Sequence, residues 1–404
     1  MSRRAVLWIA FAVVHIGVAV LGFRLPNQPM GDVYNVYEPW SLQALDGRGI
    51  VGITESWVYP PFALVPMVLA HAFTWIAGYT VAWAILVTAC DALAFAMLVG
   101  KARSTGRWLG AWYWLVFITM LGPVGLYRLD GITVPLALAG SLWLVGRPWL
   151  GSALLAAATW IKVWPAALLA AALIAVRRRF AIVGGAAVVS AAIVAVVVAA
   201  GGAANLLGFV TDQADRGLQV EAPVSAFYLW RAVADIPGSF IYYNRDLVTF
   251  EVTGPEVDAL IAVMTPLLVL AVAAVAALGA FKAWRGATFA ALYPPLALAL
   301  VLAFIVFNKV GSPQYLTWIV APLVVGLVIA RRRWWRPALL GLIVAGLTFA
   351  VYPLTYGGLL LAQPWAVTLL TIRNALLVAM LAWVVVRLAR LPVHPRVHLA
   401  APQP

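Results

Sequence analysis

The stretch Gly31-Asp32-Val33-Tyr34-Asn35-Val36-Tyr37-Glu38-Pro39-Trp40, followed by Glu55-Ser56-Trp57-Val58-Tyr59-Pro60-Pro61, sets carboxylates among aromatic rings. Apolar surroundings raise a carboxylate's proton affinity and aromatic faces suit sugar rings, so Asp32 is a candidate general base. The plainer reading is a loop Asp that caps a short helix. Lys162, in Ile161-Lys162-Val163-Trp164-Pro165, has no acid near it in sequence and lies between two apolar runs. An ionisable group at membrane depth is a functional candidate by default. Flanked by Trp160 and Trp164, it suits an anionic headgroup; the alternative is a lysine that snorkels to the interface.

Other polar positions are weaker. Arg128 and Asp130, in Leu126-Tyr127-Arg128-Leu129-Asp130-Gly131, read as a surface ion pair or as further site charges. Asn308-Lys309-Val310-Gly311-Ser312-Pro313-Gln314-Tyr315-Leu316-Thr317-Trp318 offers a cation, an amide and aromatics in one turn, although loop polarity alone explains it. Asp91 and Arg373 fall inside apolar runs, either as a structural pair or lining a cavity. His15, His71, His394 and His398 lack metal-ligand spacing, and no GxxxxGK[ST] or GxGxxG phosphate cradle occurs. Cys90 is the single cysteine, so no intrachain disulfide forms.

The elements that must position these residues follow from composition. With 404 residues, 65% hydrophobic, 10% charged and a mean hydropathy of +0.98, the chain is no water-soluble domain. The net charge of +13 sits in short basic clusters at 3–4, 101–107, 147, 177–179, 282–285, 331–336 and 387–396, between apolar runs of spanning length. That pattern reports topology rather than a nucleic-acid partner. Of the fourteen acids, four lie in 24–60 and eight in 201–258. The positive-inside rule then puts the basic clusters in the cytoplasm and these two loops outside. Residues 5–23 read as an uncleaved first span. Further spans at 79–100, 108–122, 132–147, 149–162, 164–176, 180–200, 258–280, 287–306, 315–330, 337–355 and 364–387 make about twelve. The expectation is one all-α membrane domain over 1–404, with both termini and the tail 388–404 cytoplasmic. Residues 61–77 read as an interfacial or half-inserted helix beginning at Pro60-Pro61.

Taken in order, Gly31-Asp32, Tyr37, Trp40, Tyr59-Pro60-Pro61, Lys162-Val163-Trp164-Pro165 and Ser312-Pro313-Gln314-Tyr315-Leu316-Thr317-Trp318 resemble the polytopic GT-C glycosyltransferases. The likeness is nearest to the actinobacterial glycosyltransferase family 87, which includes α(1→2) mannosyltransferases of cell-envelope glycolipids. The resemblance implies a GT-C-like bundle, a first outer loop carrying the catalytic Asp at position 32, and a cavity for a polyprenyl-phosphate sugar. It implies donor-phosphate contact for Lys162, and a looser role for Glu55 and Asp130 as outer-face acids. A lone Asp32 replaces any Asp-x-Asp, which argues against a metal-dependent variant.

The expected chemistry is inverting transfer of a sugar, mannose or alternatively arabinofuranose, to a glycolipid or glycan acceptor at the plasma membrane. Asp32 acts as base; Lys162, Arg128 and Lys309 face the donor phosphate; Tyr37, Trp40, Glu55, Tyr59, Asp130, Trp164, Gln314 and Tyr315 hold substrate. A phosphate leaving group needs neither metal nor other cofactor, and no nucleic-acid partner is expected. The competing class is a transporter or lipid flippase, which buries charge at the bilayer midplane, where this chain offers only Asp91, Lys162 and Arg373.

Overall fold

The computed structural model describes residues 1–212, 216–245 and 247–392. His394, His398 and most of the 388–404 tail lie outside the described residues. Among the described residues, the α-helices longer than five residues are α1 (Arg3–Arg24), α2 (Glu38–Leu45), α3 (Leu64–Ala70), α4 (Tyr79–Val99), α5 (Thr105–Leu121), α6 (Asp130–Trp143), α7 (Pro148–Ile161), α8 (Ala166–Ala175), α9 (Arg179–Ala199), α10 (Ala226–Val233), α11 (Val257–Trp284), α12 (Phe289–Val306), α13 (Val320–Ala330), α14 (Trp335–Phe349) and α15 (Pro364–Ala389). Among the described residues, seven segments are long and apolar enough to cross a bilayer: Arg3–Arg24, Tyr79–Val99, Arg179–Ala199, Val257–Trp284, Phe289–Val306, Pro313–Leu354 and Pro364–Ala389. Shorter apolar helices fill the other stretches read as spans, so the chain is a helical membrane-integral protein.

Burial sorts these helices. The α12 helix is enclosed along most of its length. The α9 and α11 helices turn most of their apolar surface outward, as helices solvated by lipid do. Residues 61–77 are helical throughout, as expected of a helix beginning after Pro60: tight turns at Pro61–Ala63 and His71–Phe73 alternate with α3 and a last turn at Thr74–Ala77, and the run ends at Gly78. Between α9 and α11 the chain adds an antiparallel hairpin, β1 (Phe240–Asn244) and β2 (Thr249–Thr253), with Phe240 opposite Thr253. A small apolar cluster including Leu218, Tyr228, Val252 and Leu370 fastens this hairpin over the start of α15.

Polar loops gather at one end of the bundle and basic runs at the other. At the loop end, Asn205 donates to the Ile53 carbonyl (2.7 Å), Ser56 to Asp212 (2.8 Å) and Asn27 to the Pro353 carbonyl (2.7 Å). At the basic end, Arg107 donates to the Met97 carbonyl (2.8 Å), Lys282 to the Leu391 carbonyl (3.3 Å), and Arg387 lies 4.6 Å from the Trp334 ring.

The suggested Asp91–Arg373 pair is not formed. Asp91 instead meets His15 of α1 (Nε2 to Oδ2, 3.2 Å), while the other His15 nitrogen bonds the Phe11 carbonyl at 2.9 Å. Sequence separation hid this contact: 76 residues divide the partners, and each sits on a helix with no other marker. Both side chains are buried, and a cavity of about 10 Å³, room for one water, adjoins Asp91. Replacing one member strands a buried polar group, whereas replacing both does not. His15→Leu and Asp91→Leu are each expected to cost about 3–5 kcal/mol, and the double variant less than either single one. Denaturant titration of the purified protein in micelles checks the order; additive losses would contradict it.

Candidate functional site

The site is organised by the turn between α5 and α6. Gly122, at φ +69°, ends α5, Pro123 opens a single short helix, and α6 begins at Asp130. Three groups hold this turn. Trp83 Nε1 donates to the Tyr127 carbonyl (2.7 Å), the Leu129 amide donates to the Tyr37 hydroxyl (3.0 Å), and Gly131 passes so close to the Leu126 carbonyl that a Cβ would overlap it. Arg128, extended at φ −78° and ψ 168°, and Asp130 thereby reach in different directions.

Arg128 forms an ion pair with Asp32 and donates to the Tyr352 hydroxyl at 3.3 Å. Asp130 accepts from Lys162 Nζ at 2.7 Å and from Trp318 Nε1 at 2.6 Å. The expectation of a surface pair between Arg128 and Asp130 is therefore corrected: both are buried, and each pairs with a residue from a distant loop. The capping reading of Asp32 also fails, because its side chain makes no cap hydrogen bond to the turn Val33–Tyr37. A third of the Asp32 side chain stays exposed, while Asp130 is closed off completely.

Lys162 stands where α7 breaks, at φ −154°, and its ammonium lies 5.5 Å from the ring centroids of both Tyr59 and Tyr315. Tyr315 stacks on Trp318 (4.1 Å), which stacks on Trp164 (5.8 Å, 8° between planes). Trp164 in turn donates to Thr133 at 3.0 Å. Burial, with the Asp130 charge adding, pushes the Tyr59 phenol well above its ordinary range, and Arg216 opposes the rise.

The remaining sequence candidates fall around this centre. Tyr37 is buried and its hydroxyl is spent on the turn. Trp40 packs edge-on to Trp57 and Tyr59. Glu55 is exposed and accepts from Gln43 (2.7 Å), apart from the paired charges. Lys309 is buried, its carbonyl accepting from the Gln219 amide (3.1 Å), and Gln314 is buried on the turn leading to Trp318.

Sequence reasoning missed Glu221 and left Arg373 without its true neighbour. Arg373 donates to the Glu221 carbonyl (3.3 Å), and both side chains are buried. Burial pushes the Glu221 carboxyl up to about 7, against the pull of Arg373, a hydrogen bond with Tyr356, and Arg128. Nothing marked it among the eight acids of its loop. Trp318 did carry a signal: it lies three residues after Tyr315 on a helical turn, which stacks the two rings.

The family model of glycosyltransferase family 87 matches residues 57–306, more than half of the chain. The protein belongs to this family. Comparison with curated proteins and with solved structures finds no match. The family 87 enzyme is thus a glycosyltransferase, which sets the transporter reading aside. Its matched stretch contains Tyr59, Arg128, Asp130, Lys162 and Glu221; Asp32, Lys309 and Tyr315 lie outside it.

Glu221 gives the enzyme a pH signature. In the unfolded chain its carboxyl titrates near the ordinary 4.5, and in the folded enzyme near about 7. Between those values the folded state holds the extra proton, so this group's stabilising contribution is full below about 4.5 and is lost as pH rises through about 7. Glu221→Gln is expected to gain stability relative to the parent over that window. Melting temperatures of the two proteins in detergent, followed across it, should diverge; parallel curves would refute the assignment.

Proposed function

We propose that the enzyme moves a sugar, mannose first and arabinofuranose as the alternative, from a polyprenyl-phosphate donor to a glycolipid or glycan acceptor, with inversion. The reaction is set at the outer face of the plasma membrane, in a bundle of twelve crossings whose basic end and termini are cytoplasmic. The observation that carries this reading is the alternating row Asp32, Arg128, Asp130, Lys162 at the loop end, with one carboxylate open and one cation between aromatic faces. Asp32 takes the proton of the acceptor hydroxyl as its oxygen bonds the anomeric carbon. The bond from that carbon to the phosphate oxygen breaks, and the electron pair leaves with the phosphate. Lys162, Arg128 and Lys309 supply positive charge where phosphate charge grows. Trp40, Tyr59 and Tyr315 flank the sugars. No metal or other cofactor enters, because the leaving phosphate is already stable.

An apolar groove of about 440 Å³ supports entry from the membrane plane. It lies between α8 and α9, lined by Ala166, Leu169, Leu173, Ile182, Ala186 and their neighbours, and starts four residues after Lys162. A lipid tail lying there would carry its phosphate toward the break after α7.

A general base is worth about 10²–10⁴ in rate, so Asp32→Asn is expected to lose at least about 100-fold in kcat. The measurement is transfer from radiolabelled polyprenyl-phosphate mannose, with the arabinofuranose donor alongside, to endogenous lipid in membranes. Retention of more than about a tenth of the parent turnover would remove Asp32 from that role.

A further inference from the structure

Asp130 has a geometry unlike that of a substrate ligand. Its side chain is fully enclosed and both oxygens are engaged, Oδ2 by Lys162 at 2.7 Å and Oδ1 by Trp318 at 2.6 Å. Its enclosure leaves no oxygen surface open to a sugar hydroxyl. Lys162 is the opposite case. An ammonium has three N–H donors, and among the described residues one goes to Asp130 while the Tyr59 and Tyr315 faces take no full hydrogen bond. The remaining donors suit an anion.

We propose that Asp130, oriented by Trp318, is a positioning residue that aims the Lys162 ammonium at the donor phosphate. The proposal rests on the reading of Lys162 as a donor-phosphate ligand. Trp318 is itself fixed between Trp164 and Tyr315, so the chain of contacts runs from the aromatic stack through the indole N–H to the carboxylate and on to the ammonium. The indole fixes which Asp130 oxygen faces Lys162. The carboxylate in turn keeps a four-carbon side chain from swinging, and neutralises a buried cation while the site is empty. Partners behind a ligand set the ligand's direction in the same way around metal centres.

The test is a kinetic series on the full-length enzyme, with a polyprenyl-phosphate sugar as varied donor. Asp130→Asn keeps the shape and the acceptor for Trp318 but removes the anion. It is expected to raise the donor KM about tenfold or more, the worth of a charge-assisted hydrogen bond, and to leave the acceptor KM unchanged. Asp130→Glu should recover most of the loss, and Trp318→Phe, which keeps the stack, should fall between. The inhibition constant of the sugar-free polyprenyl phosphate should rise in parallel with the donor KM. An Asp130→Asn donor KM within about twofold of the parent would overturn the proposal, as would equal impairment of Asn and Glu variants. If Asp130→Asn does not fold, Trp318→Phe decides alone: an unchanged donor KM overturns the proposal. Lys162→Ala separates the two levels, because an unchanged donor KM there removes the underlying reading of Lys162 itself.

Discussion

Charge sunk into a helical membrane protein must be compensated where it stands, and here that requirement is met on one turn. Arg128 and Asp130 are two residues apart, yet they pair with Asp32 in the first loop and Lys162 at the break after α7. Each ion pair therefore joins two loops through the α5–α6 turn. Removing any one charge leaves its partner buried or half-buried without an ion, a cost well above that of a surface pair. Tyr37, Trp83 and Gly131 make sense in this light. They hold the turn, and the turn holds the charges.

Helix length then sets the depth at which this happens. The α6 and α7 helices have 14 residues each and α8 has 10, about 21 and 15 Å at the usual rise, short of a hydrocarbon core of about 30 Å. Trp160, two residues before Lys162, donates to Ser190 of α9 at 2.9 Å, and α9 runs on to Ala199. The Trp160–Ser190 contact thus lies roughly 13 Å along α9 from its end, and the Lys162 break, two residues further on, about 10 Å, at the usual rise of the helix. On the proposed reading, a cation recessed in this way meets the phosphate of the lipid-linked donor within the bundle.

The sequence made legible what depends on local periodicity and composition. Apolar runs marked α4, α9, α11 and α15 to within a few residues, because membrane spans need length and little else. Asp32, Lys162, Tyr59 and Tyr315 were picked out by residue type beside aromatics. The pairings were not legible. Lys162 and Asp130 are 32 residues apart, His15 and Asp91 76, Trp318 and Asp130 188, and no local pattern encodes a partner at such range. Glu221 was hidden for a different reason: its proton affinity comes from burial, against the pull of Arg373, a hydrogen bond with Tyr356 and Arg128, a property of packing rather than of spacing.

The two acids of the central row divide according to access. Asp32 is exposed over a third of its side chain and has one cationic neighbour; Asp130 is closed and doubly bonded. A group that exchanges a proton with a substrate must be reachable, and one that fixes geometry gains from being sealed, since water would loosen its hydrogen bonds. Equal numbers of positive and negative side chains in the row also leave it without net charge until a ligand enters. On the proposed reading, phosphate then finds Lys162 and Arg128 already placed, so little reorganisation is needed as negative charge develops on the leaving oxygen. The pairing that lets the charges survive in the membrane is the same pairing that preorganises them.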